Sequence, residues 1–173
     1  LSRWLSASRL ALFFDDFQRW ADLENLVLSD ELLREYDDLF KGTHADIYIP
    51  LWVSLCKTDS GSLLDETTLA VVQAYNRAGY VPVDMDGNPP DYIGQAFAFV
   101  SYLSACVCYA ADRGDDERCN IFERNIDSFA QQYLLDTARH VARDIQKYTK
   151  TPLFLSIADD IAGFVSQPAC DME

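Results

Sequence analysis

The side chains of this sequence that could do chemistry are mostly carboxylates. Twenty-eight acidic residues stand against 14 basic ones, which gives a formal net charge of −14. Such a surplus repels phosphate backbones and anionic lipid surfaces, so it argues against a nucleic-acid partner and favours a cationic one. Acidic clusters that could bind a cation lie at Asp37 with Asp38, and at Asp84, Asp86 and Asp91. Aromatic residues that are close to them in sequence are Trp52, Tyr92 and Phe97.

Patterns typical of catalysis or metal binding are sparse. His140 and Asp144 are one helical turn apart, so they could form a catalytic or metal-binding pair, or simply a surface contact. The adjacent acid pairs at 15–16 and 159–160 would point about 100° apart on a helix, a poor arrangement for sharing one ion. The sequence contains no nucleophile motif, glycine-rich phosphate loop or metal-ligand spacing. We therefore expect no catalytic residue, no cofactor and no metal; an enzyme with a dispersed carboxylate site is the alternative.

The five cysteines show neither zinc-site spacing nor the paired spacing of a secreted disulfide framework. Cys106 and Cys108 are two apart on an expected helix, so they point roughly 200° apart and cannot easily share one metal. We interpret them as core thiols. This use of cysteine is typical of the reducing cytoplasm.

The elements that must position these side chains are organised around one apolar stretch, Ile93 to Ala111. Its nineteen residues carry no formal charge. Asp91 precedes it as the expected N-cap, and Gly114 follows it as the expected terminator. The stretch is long enough to span a bilayer, but Gly, Gln and Ser dilute it and neither flank has a basic cluster. We therefore expect a buried central helix and no stable membrane insertion.

A helix that is apolar on all sides must be surrounded by others, so the sequence predicts an all-α, single-domain bundle over residues 1–173. The segment from Trp4 to Trp20 has helical spacing and predicts a first amphipathic helix. A second helix is expected between an N-cap at Ser29 and a stop at Gly42. The apolar island 47–56 is too short to be assigned as a helix or a strand.

Three further helices are expected along the chain. One runs over 64–78, and the loop 80–90 that follows it is rich in Pro, Asp and Gly, which makes it a candidate functional surface. An apolar stripe over 122–148 predicts the longest helix. That helix must end near Pro152, where a last helix begins and runs until Pro168.

Ordered pieces along most of the chain resemble one known family, the TorD/DmsD/NarJ redox-enzyme maturation chaperones. The pieces are EYDDLFKG (35–42), PLWVS (50–54), SLLDETTLAVVQAYNRAGY (62–80), PPDYIGQAFAFVSYL (89–103), FERNIDSF (122–129) and TPLF (151–154). Their order and spacing together carry the resemblance. The positions at which the chain departs from the family pattern are Tyr92 for histidine, Val53 and Ala96 for glutamate, and Asn125 and Phe129 for histidine and tryptophan. The chain thus resembles a divergent member.

The resemblance implies a cytoplasmic, all-helical chaperone that is not an enzyme. It implies that the partner is the twin-arginine signal peptide, together with the apo form, of a molybdopterin-containing oxidoreductase that is bound before export. Such a peptide presents two guanidinium groups and an apolar segment, so its receptor needs carboxylates beside an aromatic groove. The peptide-binding residues that the resemblance implies are Asp91, Tyr92, Trp52, Ser54, Phe97, Asn125 and Phe129.

Each of these residues also has a plainer interpretation. Asp91 is either a helix cap alone or a cap that also binds the ligand. Trp52 and Phe97 are either core side chains or peptide contacts, and the acidic pair at 37–38 is interpreted as a solvated helix face. An acidic helical adaptor for another partner is the alternative function. Both a monomer and a homodimer are compatible with the sequence, because a loop as long as 80–90 can permit helix exchange.

Overall fold

The computed structural model describes residues 2–43, 47–57, 65–82 and 88–166, with side chains from Ser6 onward. Within those residues the backbone forms α-helices, one π-helical turn and one isolated β-bridge, and it contains no strand. The prediction of an all-α, single-domain bundle is confirmed. The extension of that domain over 1–173 stays a prediction.

The first predicted helix is in fact two helices. α1 covers Ser2–Asp15 and α2 covers Phe17–Leu23, with a break at Asp16. The backbone of Asp16 is not helical there, with φ −148° and ψ 83°, and its carboxylate accepts a hydrogen bond of 2.9 Å from the backbone N–H of Arg19. The prediction of one continuous helix was wrong because this aspartate caps a new helix instead of continuing the old one.

The second predicted helix is confirmed as α3, Asp30–Lys41. Ser29 caps it through a hydrogen bond of 3.2 Å from the backbone N–H of Leu32, and Gly42 ends it in the left-handed conformation at φ 62°. The apolar island resolves into an extended segment over 47–52 and a short helix, α4 (Val53–Lys57).

The next two helices lie where they were predicted, but one of the predicted caps was wrong. α5 is Glu66–Arg77, and Asp65 caps it with a hydrogen bond of 2.8 Å from Thr67. α6 is Ile93–Ala111, and its N-cap residue is Tyr92, which makes no side-chain capping bond. Asp91 therefore does not cap the central helix. Its carboxylate accepts a hydrogen bond from the backbone of α4 instead.

The N-terminal half of α6 is almost fully buried, whereas its C-terminal half is only partly buried. Its C-terminal half exposes Cys108 and 58% of Tyr109, whose ring lies under the Arg113 guanidinium at 3.7 Å. The expectation of a helix surrounded on all sides, and of Cys108 as a core thiol, was therefore wrong. Among the described helices α6 is long and apolar enough to cross a membrane, a test that core helices also pass, and 56% of its most apolar window is buried inside the bundle.

The longest predicted helix is an uninterrupted helical stretch with one change of pitch. α7 (Asp116–Phe129) continues through a π-helical turn, Ala130–Leu134, into α8 (Leu135–Tyr148). α9 covers Pro152–Ser166, so the last helix lies where it was predicted and begins with a proline. The predicted end at Pro168 lies outside the described residues.

The helices pack in a bundle with α6 at its centre. α1 and α7 flank α6, α8 packs against α9, and α9 also touches α1. A hydrogen bond of 2.6 Å between the hydroxyls of Ser8 and Ser101 joins α1 to α6. The carboxylate of Glu35 on α3 accepts hydrogen bonds from Thr149 and Thr151, which ties α3 to the corner between α8 and α9.

Phe13 is the centre of an aromatic cluster that joins α1, α2, α3 and α9. Its side chain is 0% exposed. Six rings surround it edge-on, with centroid distances from 5.1 to 6.4 Å: Phe14, Phe17, Trp20, Tyr36, Phe40 and Phe154. Edge-to-face contacts at these distances stabilise a core beyond simple burial. Four of these neighbours also line the site described next, so this cluster forms its base.

Candidate functional site

An open groove lies where the break between α1 and α2, the helix α3 and the segment 47–52 meet. Its volume of about 760 Å³ is within the range of ligand-binding clefts. The rings that line it are Phe14, Phe17, Tyr36, Phe40, Tyr48, Trp52 and Tyr92. The charged side chains that line it are Asp15, Asp16, Asp37 and Lys41. We call it the acidic groove, because it combines aromatic walls with an excess of carboxylates.

One wall of the acidic groove is the aromatic pair Trp52 and Tyr92. The two residues form an isolated antiparallel β-bridge, and two backbone hydrogen bonds of 2.8 and 3.0 Å tie 51–53 to 91–93. Their ring centroids are 5.9 Å apart. The Tyr92 hydroxyl donates a hydrogen bond of 3.0 Å to the backbone carbonyl of Phe14, so the wall is anchored to α1 as well. Two of the predicted binding residues are thus brought together.

Asp91 and Ser54 lie behind this wall. Asp91 is 0% exposed, and its Oδ2 accepts a hydrogen bond of 2.8 Å from the backbone N–H of Ser54. Ser54 is in the first turn of α4, so Asp91 caps α4 from a distant part of the chain. Its other oxygen has no hydrogen-bond partner among the described residues. This buried contact holds the aromatic wall in place, while direct contact of Asp91 or Ser54 with a ligand stays a prediction.

The remaining predicted residues are separated from the groove opening. Phe97 is fully buried and stacks behind Phe14 at 6.2 Å, so it supports the groove without lining it. Asn125 and Phe129 line a different cavity of about 140 Å³, next to Arg77 and the π-helical turn. The predicted binding residues therefore lie in two separate places, the acidic groove with its supporting residues and this smaller cavity.

The carboxylates of the acidic groove differ in their partners. Asp16 caps α2, and Asp37 forms an ion pair of 2.7 Å with Lys41 on the same helix. The Asp37 side chain is 41% exposed, as the interpretation of a solvated helix face requires, whereas Asp38 departs from that interpretation because its Oδ1 is buried. No binding role was predicted for Asp15 or Asp16. The sequence feature that could have indicated a binding role for them is a double aspartate between aromatic residues.

Among the carboxylates that line the acidic groove, Asp15 lies against the start of the central helix. A Cβ atom at Gly94 would lie 1.8 Å from Asp15 Oδ1, so the absence of a side chain at Gly94 makes room for this carboxylate. Asp15 keeps contact with solvent through the groove, but the surrounding apolar groups desolvate it and raise its pKa to about 7. A carboxyl with so raised a pKa in a cleft is typical of a functional site.

The enzyme alternative gains no support from the described geometry. The ring of His140 lies 2.9 Å from the backbone carbonyl of Asp136, while Asp144 accepts a hydrogen bond of 3.0 Å from Arg143. The two side chains, considered as a possible catalytic or metal-binding pair, therefore have other partners. The described part of the chain also contains no group of three His, Cys, Asp or Glu side chains that could hold a metal ion. The acidic loop residues Asp84 and Asp86 lie outside the described residues.

The family model described as nitrate reductase delta subunit matches residues 8–140. The chain belongs to this family of NarJ/TorD-type chaperones. Comparison with curated proteins and with solved structures gives no significant match. The matched segment of the delta-subunit family contains every residue that lines the acidic groove, whereas α9 lies beyond it.

Membership in the delta-subunit family supports a general chaperone role in the maturation of molybdenum enzymes. It is a chaperone family, not a catalytic family, and its members are soluble and cytoplasmic. Members act with molybdoenzyme subunits, which supports an oxidoreductase as the partner. The acidic groove lies within the matched segment and is suited to such contact.

Proposed function

We propose that the protein is a cytoplasmic, non-catalytic chaperone that binds the twin-arginine signal peptide and the apo form of a molybdopterin-containing oxidoreductase before export. The observation that carries this proposal is the acidic groove, which combines carboxylates and aromatic rings in a delta-subunit fold. A twin-arginine peptide has the complementary chemistry, with two guanidinium groups followed by an apolar segment. The proposal holds for a monomer and for a homodimer.

The energies of such contacts are sufficient for a transient complex. A hydrogen bond that involves a charged group contributes roughly 1.5 to 3 kcal/mol, and a micromolar complex needs about 8 kcal/mol. Two arginines therefore supply about half of the required binding energy. The apolar segment supplies the rest against the exposed parts of the rings, where burial contributes roughly 25 cal/mol per Å².

The residues of the site have different roles in this proposal. Trp52 and Tyr92 contact the peptide directly, because they line the groove. Asp91, Ser54 and Phe97 act from behind as positioning residues. Asn125 and Phe129 lie in the smaller cavity, so a role for these two residues requires a second contact of the client outside the groove.

Substitution of both peptide arginines by lysine tests the proposal. We expect an N-acetylated peptide with two arginines and an apolar segment to bind with micromolar affinity, and the lysine version to bind more weakly. Lysine keeps the positive charge but lacks the planar fork that pairs with a carboxylate through two hydrogen bonds. Isothermal titration calorimetry measures both affinities. Equal affinity for the two peptides, or binding of neither, would favour the acidic adaptor for another partner.

A further inference from the structure

Asp15 differs from the other carboxylates of the acidic groove, because it has no partner among the described residues. Asp16 is engaged as the cap of α2, and Asp37 is engaged with Lys41. The Asp15 carboxylate makes no hydrogen bond or ion pair with any described residue, and desolvation by the surrounding apolar groups is what raises its pKa. The Asp15 side chain is exposed to solvent through the groove, so a cation of the ligand can reach it, and the apolar groups beside it leave the carboxylate less hydrated than one on an open surface.

The position of Asp15 is fixed by the close approach of α1 to the start of α6. The missing side chain at Gly94 leaves space for its carboxylate, whose Cγ would be only 2.9 Å from a Cβ at that position. The Tyr92 ring borders the same space, and its hydroxyl is held by the backbone of Phe14, the residue before Asp15. The carboxylate therefore sits at the junction of the aromatic wall and the base of the groove.

We propose that Asp15 is the specificity-determining residue that pairs with a cationic side chain of the peptide, and that binding requires this carboxylate to be ionised. This inference rests on the proposed function, since it concerns the same groove and the same class of ligand. It adds a residue outside the sequence motifs and a regulation by pH. Binding should strengthen as the pH rises.

The sign of the pH dependence follows from the groups around Asp15. The titratable or charged groups that face it are Asp16, Tyr36, Asp37, Lys41, Tyr48, Tyr75, Tyr80 and Tyr92. Burial is the main reason that the pKa of each of these tyrosines is raised, and the pKa of Tyr80 is raised to about 12. All of them therefore stay neutral near pH 7. Asp15, with a pKa of about 7, is half protonated there. A cation binds only its ionised form, so acid weakens binding.

The test is the affinity of the two-arginine peptide, measured by titration calorimetry at about pH 6, 7 and 8. The peptide is N-acetylated and contains no histidine, so it does not titrate in this range. For a group with a pKa of about 7 the affinity should rise roughly tenfold from pH 6 to pH 8. In Asp15→Asn this rise should disappear, and the affinity at pH 8 should fall roughly ten- to a hundredfold.

Two further variants separate this role from a general loss of charge or of folding. Asp16→Asn removes the neighbouring charge while an asparagine still caps α2, so the rise with pH should persist. Gly94→Ala keeps Asp15 but displaces its carboxylate by the new methyl group, and it should weaken binding at pH 8. Alanine favours a helix more than glycine does, so this variant should remain folded, which circular dichroism verifies.

Three outcomes would overturn the inference. Wild-type affinity that does not change with pH contradicts the requirement for an ionised Asp15. A rise with pH that persists in Asp15→Asn assigns the titration to another group. In either case the peptide still binds, so the proposed function stands and only the role of Asp15 fails. No binding to the wild-type protein at any pH removes the proposed function and this inference together.

Discussion

Replacement of Phe13 by alanine is expected to lower the free energy of unfolding by roughly 3 to 5 kcal/mol. Phe13 is fully buried, and its ring touches six others from four helices. Truncation leaves a cavity among rings that cannot all move inward, because several of them are fixed by their own contacts. A loss of this size is a large part of the 5 to 15 kcal/mol that stabilises a typical domain.

Phe122→Ala is the matched control for this prediction. Phe122 is only half-buried on α7, at the edge of the core, so the same substitution should cost clearly less. Urea unfolding followed by circular dichroism gives both values, provided that the dependence on urea is equal in the two variants. Similar losses in the two variants would contradict the central place of Phe13 in the aromatic cluster. Peptide binding should also weaken in Phe13→Ala, because the cluster forms the base of the acidic groove.

Asp91→Ala is expected to lower the free energy of unfolding by about 1 to 3 kcal/mol. The substitution leaves the backbone N–H of Ser54 buried without the acceptor that now lies at 2.8 Å, and an unsatisfied buried donor costs about that much. Asp91→Asn keeps an acceptor oxygen and should cost less than Asp91→Ala. Thermal or urea unfolding of the two variants measures the difference. Equal stability of both variants with the wild-type protein would show that this contact does not stabilise α4.

The same pair of variants distinguishes the two roles considered for Asp91. A residue that only positions the wall needs an acceptor, so Asp91→Asn should bind the two-arginine peptide nearly as well as the wild-type protein. A residue that pairs with an arginine needs a charge, so Asp91→Asn should then lose roughly ten- to a hundredfold in affinity. The 0% exposure of Asp91 favours the positioning role.

Much of the fold could be predicted from local sequence signals. The bounds of α3 follow from the cap at Ser29 and the left-handed Gly42, and the bounds of α6 follow from its uncharged run. These signals act within a few residues, so tertiary context does not override them. The break at Asp16 was not predicted, because an aspartate between aromatic residues also fits a continuous amphipathic helix. Asp16 acts as a cap because α2 changes direction there in order to bury its apolar side chains, which is a property of the folded chain.

The candidate site was predicted less completely, because its parts meet only in the folded chain. The pairing of Trp52 with Tyr92 joins segments 40 residues apart, and the resemblance to the family pointed to both residues. The hydrogen bond from Ser54 to Asp91 joins residues 37 apart, and helix-start chemistry assigned Asp91 to α6 instead of α4. Asp15 has no motif at all. Its role depends on the space that the missing side chain at Gly94 leaves for its carboxylate. A glycine near the start of an apolar helix does not indicate such a contact in the sequence.

The most direct test of the acidic groove as the peptide site is the response of Trp52 to the two-arginine peptide. The chain has three tryptophans, so protein labelled with ¹⁵N-tryptophan should give three indole N–H signals, which single Trp→Phe variants assign. Trp52 lines the groove, whereas Trp20 is 4% exposed within the aromatic cluster. We expect saturating peptide to shift the Trp52 signal and to leave the Trp20 signal nearly unchanged. An unchanged Trp52 signal at saturation would place the peptide elsewhere and contradict the acidic groove as its binding site.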